Sequence, residues 1–110
     1  MKQKEIWMVD FNPVVGSEQS GIRPAVIVSG NTMNNIYKVG YVCPVSSKIK
    51  AFKGCPVLIS GNGNKLNLDS QVLSFQIRTI SFLRLLDKIG EITDEQLEEI
   101  HRGINLYLHY

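Results

Sequence analysis

The sequence predicts a small α+β domain in which helices close a mostly antiparallel, barrel-like sheet. Five to seven short runs of β-forming residues are separated by turn signals along the chain. An amphipathic segment behind a helix-capping sequence follows them. The 110 residues, of which 44% are hydrophobic and 20% charged, are enough for one buried core without a disulfide or a metal.

Three strands are predicted in the first half of the chain. Residues 5–11 alternate well enough for a strand, which Asn12-Pro13 ends. Residues 24–28 form an unbroken run of β-forming residues, which is typical of a strand buried on both faces. After a turn, residues 32–36 form one helical turn and residues 38–45 form the next strand.

The second half continues the sheet after a basic connection at residues 46–54. A short strand is predicted at 56–60, and the Gly- and Asn-rich run that follows it to residue 64 is a strong turn signal. Residues 70–73 and 76–80 are interpreted as two strands or as one bent strand.

Helical periodicity is confined to the C-terminal part. Residues 82–86 indicate a short helix that ends at Gly90. Thr93-Asp94-Glu95-Gln96 is a capping box, because the threonine hydroxyl can accept the Gln96 amide and the Gln96 side chain can reach back. The helix behind this box carries an apolar stripe that should pack on the sheet: Leu97, Ile100, Ile104 and Leu108.

Composition excludes several classes of protein. The net charge of +2 is too small to name a partner, and no apolar run is long enough to span a membrane. With no signal-peptide pattern, we expect a cytoplasmic protein with Cys43 and Cys55 as buried thiols rather than a disulfide. The only histidines, His101 and His109, lie on the last helix, so a catalytic triad and a metallohydrolase site are both disfavoured. We therefore expect no metal and no cofactor.

Arg23 is the first candidate for chemistry. Pro24 holds the preceding residue extended, so the arginine is fixed where a polar loop meets a buried strand. A guanidinium presents a planar fork of donors that suits a phosphate. The alternative is a surface arginine paired with Glu18 or Asp10.

Polar side chains elsewhere provide the other candidates. Ser46 and Ser47 follow a predicted strand end, where a hydroxyl can project into a cleft or lie in a solvated turn. Glu18 lies in the loop and could pair with Arg23 or take a proton, and Gln76 could read a base edge or bond to backbone. Phe52 either stacks on a base or lies in the core.

Taken together, these segments resemble the MazF/PemK/Kid toxins of bacterial toxin–antitoxin modules. Residues 16–29, Gly-Ser-Glu-Gln-x-Gly-x-Arg-Pro-Ala-Val-Ile-Val-Ser, are similar to the family signature nearly residue for residue. Supporting matches are Glu-Ile-Trp-x-Val-Asp at 5–10, Pro-Val-Ser-Ser at 44–47, Gln-Ile-Arg-Thr-Ile at 76–80 and Ile-Gly-x-Ile at 89–92.

The resemblance implies a fold, an activity and partners. The fold would be an SH3-like antiparallel β-barrel of the CcdB/MazF kind with a C-terminal helix, with residues 1–110 as a single toxin domain acting as a homodimer. The activity would be metal-free, ribosome-independent cleavage of single-stranded RNA to a 2′,3′-cyclic phosphate and a 5′-hydroxyl. The partner would be an antitoxin whose disordered C-terminal segment binds over the RNA groove, with no role for a membrane.

Carried over by position, Arg23 falls on the family's catalytic arginine and Ser46 on its catalytic threonine. An arginine keeps its proton at physiological pH, so Arg23 would stabilise the phosphorane and protonate the leaving group rather than act as a base. Glu18 is the weakest assignment, as a base or a binding aid. The predicted RNA-binding residues are Asn12, Ser17, Gln19, Ser47, Lys48, Lys50, Lys53 and Gln76.

Four positions depart from the family pattern. Serine replaces threonine at Ser46, and Leu73 and Phe75 stand where Kid-type members carry a catalytic arginine and aspartate. Ser17 stands where those members carry a histidine, so the sparser MazF-like arrangement of arginine plus hydroxyl is expected here. Two alternatives stay open: a same-fold toxin of the gyrase-poison type that acts by protein binding, and an inactive toxin that only binds antitoxin.

Overall fold

The computed structural model describes residues 1–12 and 21–110, so the predictions for Ser17, Glu18 and Gln19 lie outside the described residues. Over these ranges the chain forms β1 (Glu5–Asp10), β2 (Ile22–Ile27), α1 (Asn31–Tyr37), β3 (Val39–Ser46), β4 (Val57–Leu58), β5 (Ser70–Val72), β6 (Arg78–Ser81), β7 (Leu85–Glu91) and α2 (Asp94–His109). Short 3-10 helices at Ser74–Gln76 and Phe82–Arg84 flank β6.

All of the described strand pairs are antiparallel, and the sheet curls on itself. The strand order is β4-β5-β3-β2-β1-β7, and β6 pairs with β3 beside this path. β1 pairs with β2 so that Val9 lies opposite Arg23, and β2 pairs with β3 so that Ala25 lies opposite Pro44. This curled sheet with a C-terminal helix confirms the predicted fold class.

The two faces of the sheet carry two apolar clusters. One face, with Val26 and Val45, packs against Leu97 and Ile100 of α2. The other face gathers Val9, Phe11, Ala25, Ile27, Val42 and Ile80. Because neighbouring residues of a strand point to opposite faces, residues 25–28 are buried on both sides, as predicted.

Most predicted elements are present with shifted ends. β2 begins at Ile22, so Arg23 lies inside the strand rather than before it. The predicted helical turn is a seven-residue helix, and residues 70–80 form two strands separated by a 3-10 helix rather than one bent strand.

The short helix predicted at residues 82–86 is wrong. Only Phe82–Arg84 is helical, as a 3-10 helix, and Leu85–Glu91 is strand β7. The free edge of β1 determines this outcome, because β7 pairs along it from Leu85 opposite Val9 to Glu91 opposite Glu5. Gly90 permits the close packing there, since a Cβ at this position would overlap Gly63 and Asn64.

Helix α2 begins as predicted. Thr93 Oγ1 accepts the Gln96 N–H at 3.1 Å, and Gln96 Oε1 accepts the Thr93 N–H at 2.9 Å. The apolar stripe holds for its first three members, but Leu108 is 73% exposed. No helix in the described part of the chain is long and apolar enough to cross a membrane.

Candidate functional site

Arg23 lies on a rigid part of the sheet. It is half-buried in β2, between Ile22 and Pro24, and its backbone is paired with Val9 of β1. Alternation along the strand places its side chain on the same face as Ala25 and Ile27. The backbone of Arg23 is therefore fixed by strand pairing as well as by the following Pro24.

Ser46 lies on this face as well. It is the last residue of β3, opposite Gln71 of β5. Ala25 pairs with Pro44, so the same register continued by two residues sets Arg23 opposite Ser46. The described β2–β3 pairing ends at Ala25–Pro44, and a shared row for Arg23 and Ser46 is what this register predicts beyond that end.

The Ser46 hydroxyl does not project into an open cleft, which corrects the sequence interpretation. The residue is only 7% exposed, and its Oγ accepts the Lys48 N–H at 3.1 Å. A hydroxyl that accepts one bond keeps its own proton for donation. A threonine at this position would have its χ1 angle restricted by the extra methyl group. In Ser46 this hydrogen bond orients the side chain instead.

Ser47 faces a cleft instead. A cleft of about 350 Å³ is lined by residues that include Arg23, Ser47, Lys65, Asn67 and Ser70. The backbone of Lys65 is held by the carbonyl of Ile89 at 2.7 Å. Sequence reasoning missed Lys65 and Asn67, because only the folded chain brings their turn to the start of β2.

The basic connection between β3 and β4 is held by two buried side chains, Gln71 and Ser74, and Ser74 Oγ donates to the Gly54 carbonyl at 2.5 Å. Lys48, Lys50 and Lys53 are exposed. Gln71, which is 2% exposed, accepts the Lys50 N–H at 2.9 Å and donates to the carbonyls of Lys50 at 2.9 Å and Cys55 at 3.0 Å. The lysines therefore project from a fixed backbone.

An aromatic row lies beside this connection. Phe52 meets Phe75 edge to face at 4.9 Å between ring centroids, and Phe75 meets Tyr107 of α2 at 5.6 Å. Tyr107 donates to the Lys53 carbonyl at 2.6 Å, and partial burial together with nearby Cys55 raises the pKa of this phenol. Phe52 is exposed, which rules out the alternative that it lies in the core.

The two apolar departures from the family pattern have packing roles here. Leu73 is buried, and its N–H donates to the Pro44 carbonyl at 2.9 Å. Phe75 is the middle ring of the aromatic row. Neither position supplies a charged group to the site.

The remaining predicted contacts lie near the site but differ in detail. The Asn12 side chain accepts the Gly21 N–H through Oδ1 at 3.0 Å. Gln76 is half-buried in a 3-10 helix rather than at a strand start. Asn12 follows the end of β1, and Gln76 precedes β6.

The other nucleophiles and imidazoles have structural settings. Cys43 and Cys55 are buried free thiols, as predicted. Burial, and to a smaller extent the nearby Cys55, raises the pKa of Cys43 to about 12. His101 Nε2 lies 2.9 Å from the Val28 carbonyl. Across residues 1–12 and 21–110 no three His, Cys, Asp or Glu side chains group as metal ligands would.

The chemistry that this arrangement allows centres on a phosphate. Arg23 offers a fixed cation, Ser46 a hydroxyl donor, and the three lysines a positively charged border. Preorganised donors of this kind stabilise negative charge that develops on a reacting group.

Three comparisons place the chain among known proteins. A family described as the PemK-like, MazF-like toxin of type II toxin–antitoxin systems matches residues 2–108. Endoribonuclease MazF of Staphylococcus saprophyticus is 35% identical over 109 residues, which cover 98% of this chain and 91% of that protein.

Two solved structures share the fold. The crystal structure of MazF from Deinococcus radiodurans superposes with a TM-score of 0.86 at 23% identity, over 100% of this chain and 97% of that one. A mycobacterial endoribonuclease solved in complex with its cognate antitoxin gives a TM-score of 0.71 at 18% identity, over 98% and 92% of the two chains.

Proposed function

The chain belongs to the PemK-like, MazF-like toxins of type II toxin–antitoxin systems. We propose that it acts as an endoribonuclease, the activity for which its relatives are named. It cuts single-stranded mRNA in the cytoplasm at short sequences, without a metal or the ribosome. The observation that supports this proposal is the half-buried Arg23, which lines a cleft with Ser47 and Lys65 at the start of β2. The β2–β3 register, continued by two residues past Ala25–Pro44, would also set Arg23 opposite Ser46.

The proposed reaction is an internal transfer at phosphorus. The ribose 2′-oxygen forms a bond to the adjacent phosphorus, the bond from phosphorus to the 5′-oxygen breaks, and a 2′,3′-cyclic phosphate remains. A base takes the 2′-hydroxyl proton, and the departing 5′-oxygen receives a proton to become a 5′-hydroxyl. The balance requires no oxidant and no cofactor.

Each proposed role follows from the chemistry of the side chain. Arg23 stabilises the charge on the phosphorane and supplies the leaving-group proton, and Ser46 donates to a non-bridging oxygen. Glu18 is proposed as the base or as a binding aid.

Single-stranded RNA suits this surface better than a duplex. A-form RNA hides its base edges in a narrow groove, whereas unstacked bases can be splayed onto a protein. The exposed lysines of the β3–β4 connection would follow the phosphates, and the exposed Phe52 and Tyr41 offer rings for bases. The other contacts would come from Asn12, Ser17, Gln19, Ser47 and Gln76.

We also propose two protein partners. The chain would form a homodimer, and an antitoxin would lay its disordered C-terminal segment over the RNA groove. The solved mycobacterial relative bound to its cognate antitoxin supports the second partner. An antitoxin bound in this way would compete with RNA, so adding it should stop cleavage.

The first prediction concerns Arg23. The purified protein is incubated with a long single-stranded RNA in EDTA, and the new 5′-hydroxyl ends are mapped. Arg23→Ala should lower the cleavage rate by about 10²–10³-fold, which is typical when one preorganised donor is lost. Arg102→Ala, which removes an exposed arginine of α2, should cleave like the unaltered protein.

Two results would overturn the proposal. Cleavage by Arg23→Ala at the unaltered rate would remove this residue from the mechanism. Absence of cleavage by the unaltered protein would favour a toxin that acts by protein binding, or an inactive one that only binds antitoxin.

A further inference from the structure

Arg84 reaches from one end of the sheet to the end of β1. It closes the 3-10 helix Phe82–Arg84 and directly precedes β7. Its Nη1 donates to the Asp10 carbonyl at 3.1 Å and also to the carbonyl of Asn12. One guanidinium nitrogen thus bridges two carbonyls that lie two residues apart, just where β1 stops.

Asn12 links this guanidinium to the start of β2. Its Oδ1 accepts the Gly21 N–H at 3.0 Å, and the Gly21 carbonyl accepts the Phe11 N–H at 3.0 Å. Gly21 has a φ of +76°, which glycine adopts without strain. Arg23 follows two residues later.

The bonds lie beyond the regular sheet pairing. The ladder between β1 and β2 ends at the pair Asp10–Ile22. Past that pair, Phe11 is packed in an apolar cluster, and the Asn12 N–H donates to Asp10 Oδ1 at 3.0 Å. The backbone at residues 12 and 21 is also held by the Arg84 bond to the Asn12 carbonyl and by the two bonds that join Phe11 and Asn12 to Gly21. We call these three residues and Arg84 the rim.

A charged donor gives the rim its strength. Hydrogen bonds from a guanidinium are shorter and roughly twice as strong as those between neutral groups. Catalytic groups must be held to within about 0.5 Å of their productive position. A rim that shifts would tilt the first residues of β2 and with them the Arg23 side chain.

We propose that Arg84 is a positioning residue for RNA cleavage: it fixes the end of β1 and, through Asn12 and Gly21, the placement of Arg23. This role rests on the proposed nuclease function. Arg84 acts on backbone carbonyls of the protein, so it changes the rate of the chemical step and leaves the affinity for RNA largely as it is.

The kinetic test compares two substitutions at this position. Arg84→Met keeps the aliphatic stem and removes the donors, and it should lower kcat by about 10- to 100-fold with KM within about twofold, as expected for a misplaced reacting group. Arg84→Lys restores one charged donor and should recover part of kcat. Arg102→Met is the matched control and should leave both constants unchanged.

A second measurement does not depend on activity. Amide hydrogen exchange at Phe11 and Gly21 should be faster in Arg84→Met, while the amides in the β2–β3 ladder keep their protection. This pattern would show that the rim loosens and that the sheet stays folded.

The outcomes separate the two proposals. Cleavage by the unaltered protein together with an unchanged kcat or unchanged exchange in Arg84→Met overturns the positioning role alone. A raised KM with constant kcat would make Arg84 a substrate contact and would also overturn it. An unaltered protein that cuts no RNA overturns both proposals.

Discussion

The two connections beside the candidate site are held in different ways. The β1–β2 connection is described only at its two ends, where Arg84 donates to the Asp10 and Asn12 carbonyls and the Asn12 side chain accepts the Gly21 N–H. These bonds are exposed or half-buried. The β3–β4 connection is fastened along its length by buried groups, with Gln71 bonded to Lys50 and Cys55.

This difference predicts two kinds of variant. Bonds at the surface exchange with water and contribute little to the free energy of unfolding, whereas buried polar groups left without partners are costly. Changes to the anchors of the β3–β4 connection should therefore lower the free energy of unfolding. Changes at the rim should leave it folded and alter its chemistry.

Gly103→Ala should have the largest effect on stability. The β3–β4 connection touches α2 backbone to backbone, and a Cβ on Gly103 would overlap the Gly54 carbonyl group. We expect a loss of about 3 kcal/mol in the free energy of unfolding, at the upper end for an overpacked site. Urea denaturation measures it, and Asn105→Ala, an exposed change on the same helix, should stabilise slightly.

A Gly103→Ala protein as stable as the unaltered one would show that α2 can move away from the connection. The buried anchoring that distinguishes the second connection from the first would then be weak.

Gln71→Leu should have the next largest effect. The change removes three hydrogen bonds, two at the part-buried backbone of Lys50 and one at the buried Cys55 carbonyl, for a loss of about 2 kcal/mol. Gln71→Glu keeps the acceptor for the Lys50 N–H but loses both donors. In thermal denaturation, both variants should therefore unfold at a lower temperature than the unaltered protein.

Unchanged stability of Gln71→Leu would mean that water replaces the amide at no cost. The β3–β4 connection would then resemble the first one, and its lysines would not project from a fixed backbone.

Local sequence signals predicted the parts of the fold that local chemistry controls. The capping box of Thr93 and Gln96 forms as expected, and the apolar run at 25–28 is buried on both faces. The β2–β3 register, which predicts that Arg23 lies opposite Ser46, follows from strands whose existence the sequence predicts. Residues 85–91 were misassigned as the end of a helix because their strand depends on pairing with β1, which lies some 80 positions earlier.

The supports of the site were missed for the same reason. Arg84 reaches carbonyls 72 and 74 positions away, and Gln71 reaches a connection 16 to 21 positions away. Neither residue lies in a local sequence motif. In the sequence, an arginine or a glutamine that bonds to distant backbone cannot be told from any other polar residue. Ser46 lies at a strand end, as predicted, but it is buried rather than exposed. Its burial depends on the strands that flank it.

Asn12→Ala should have the smallest effect on stability and gives the sharpest contrast between the two connections. The change removes the acceptor for the Gly21 N–H at an exposed position but keeps the carbonyl that Arg84 uses. We expect a loss below about 1 kcal/mol in the free energy of unfolding. If Asn12 works through the rim, kcat falls several-fold and KM stays constant.

The sequence interpretation of Asn12 as an RNA contact predicts the reverse, a raised KM with constant kcat. A double variant with Arg84→Met adds a second criterion. If the two residues act through the same backbone, the double variant should lower kcat by less than the product of the two single effects. The first substitution already loosens the rim, so the second has less left to change. Effects that multiply fully would instead assign Asn12 and Arg84 to independent tasks, and Asn12 would then belong with the RNA-binding residues.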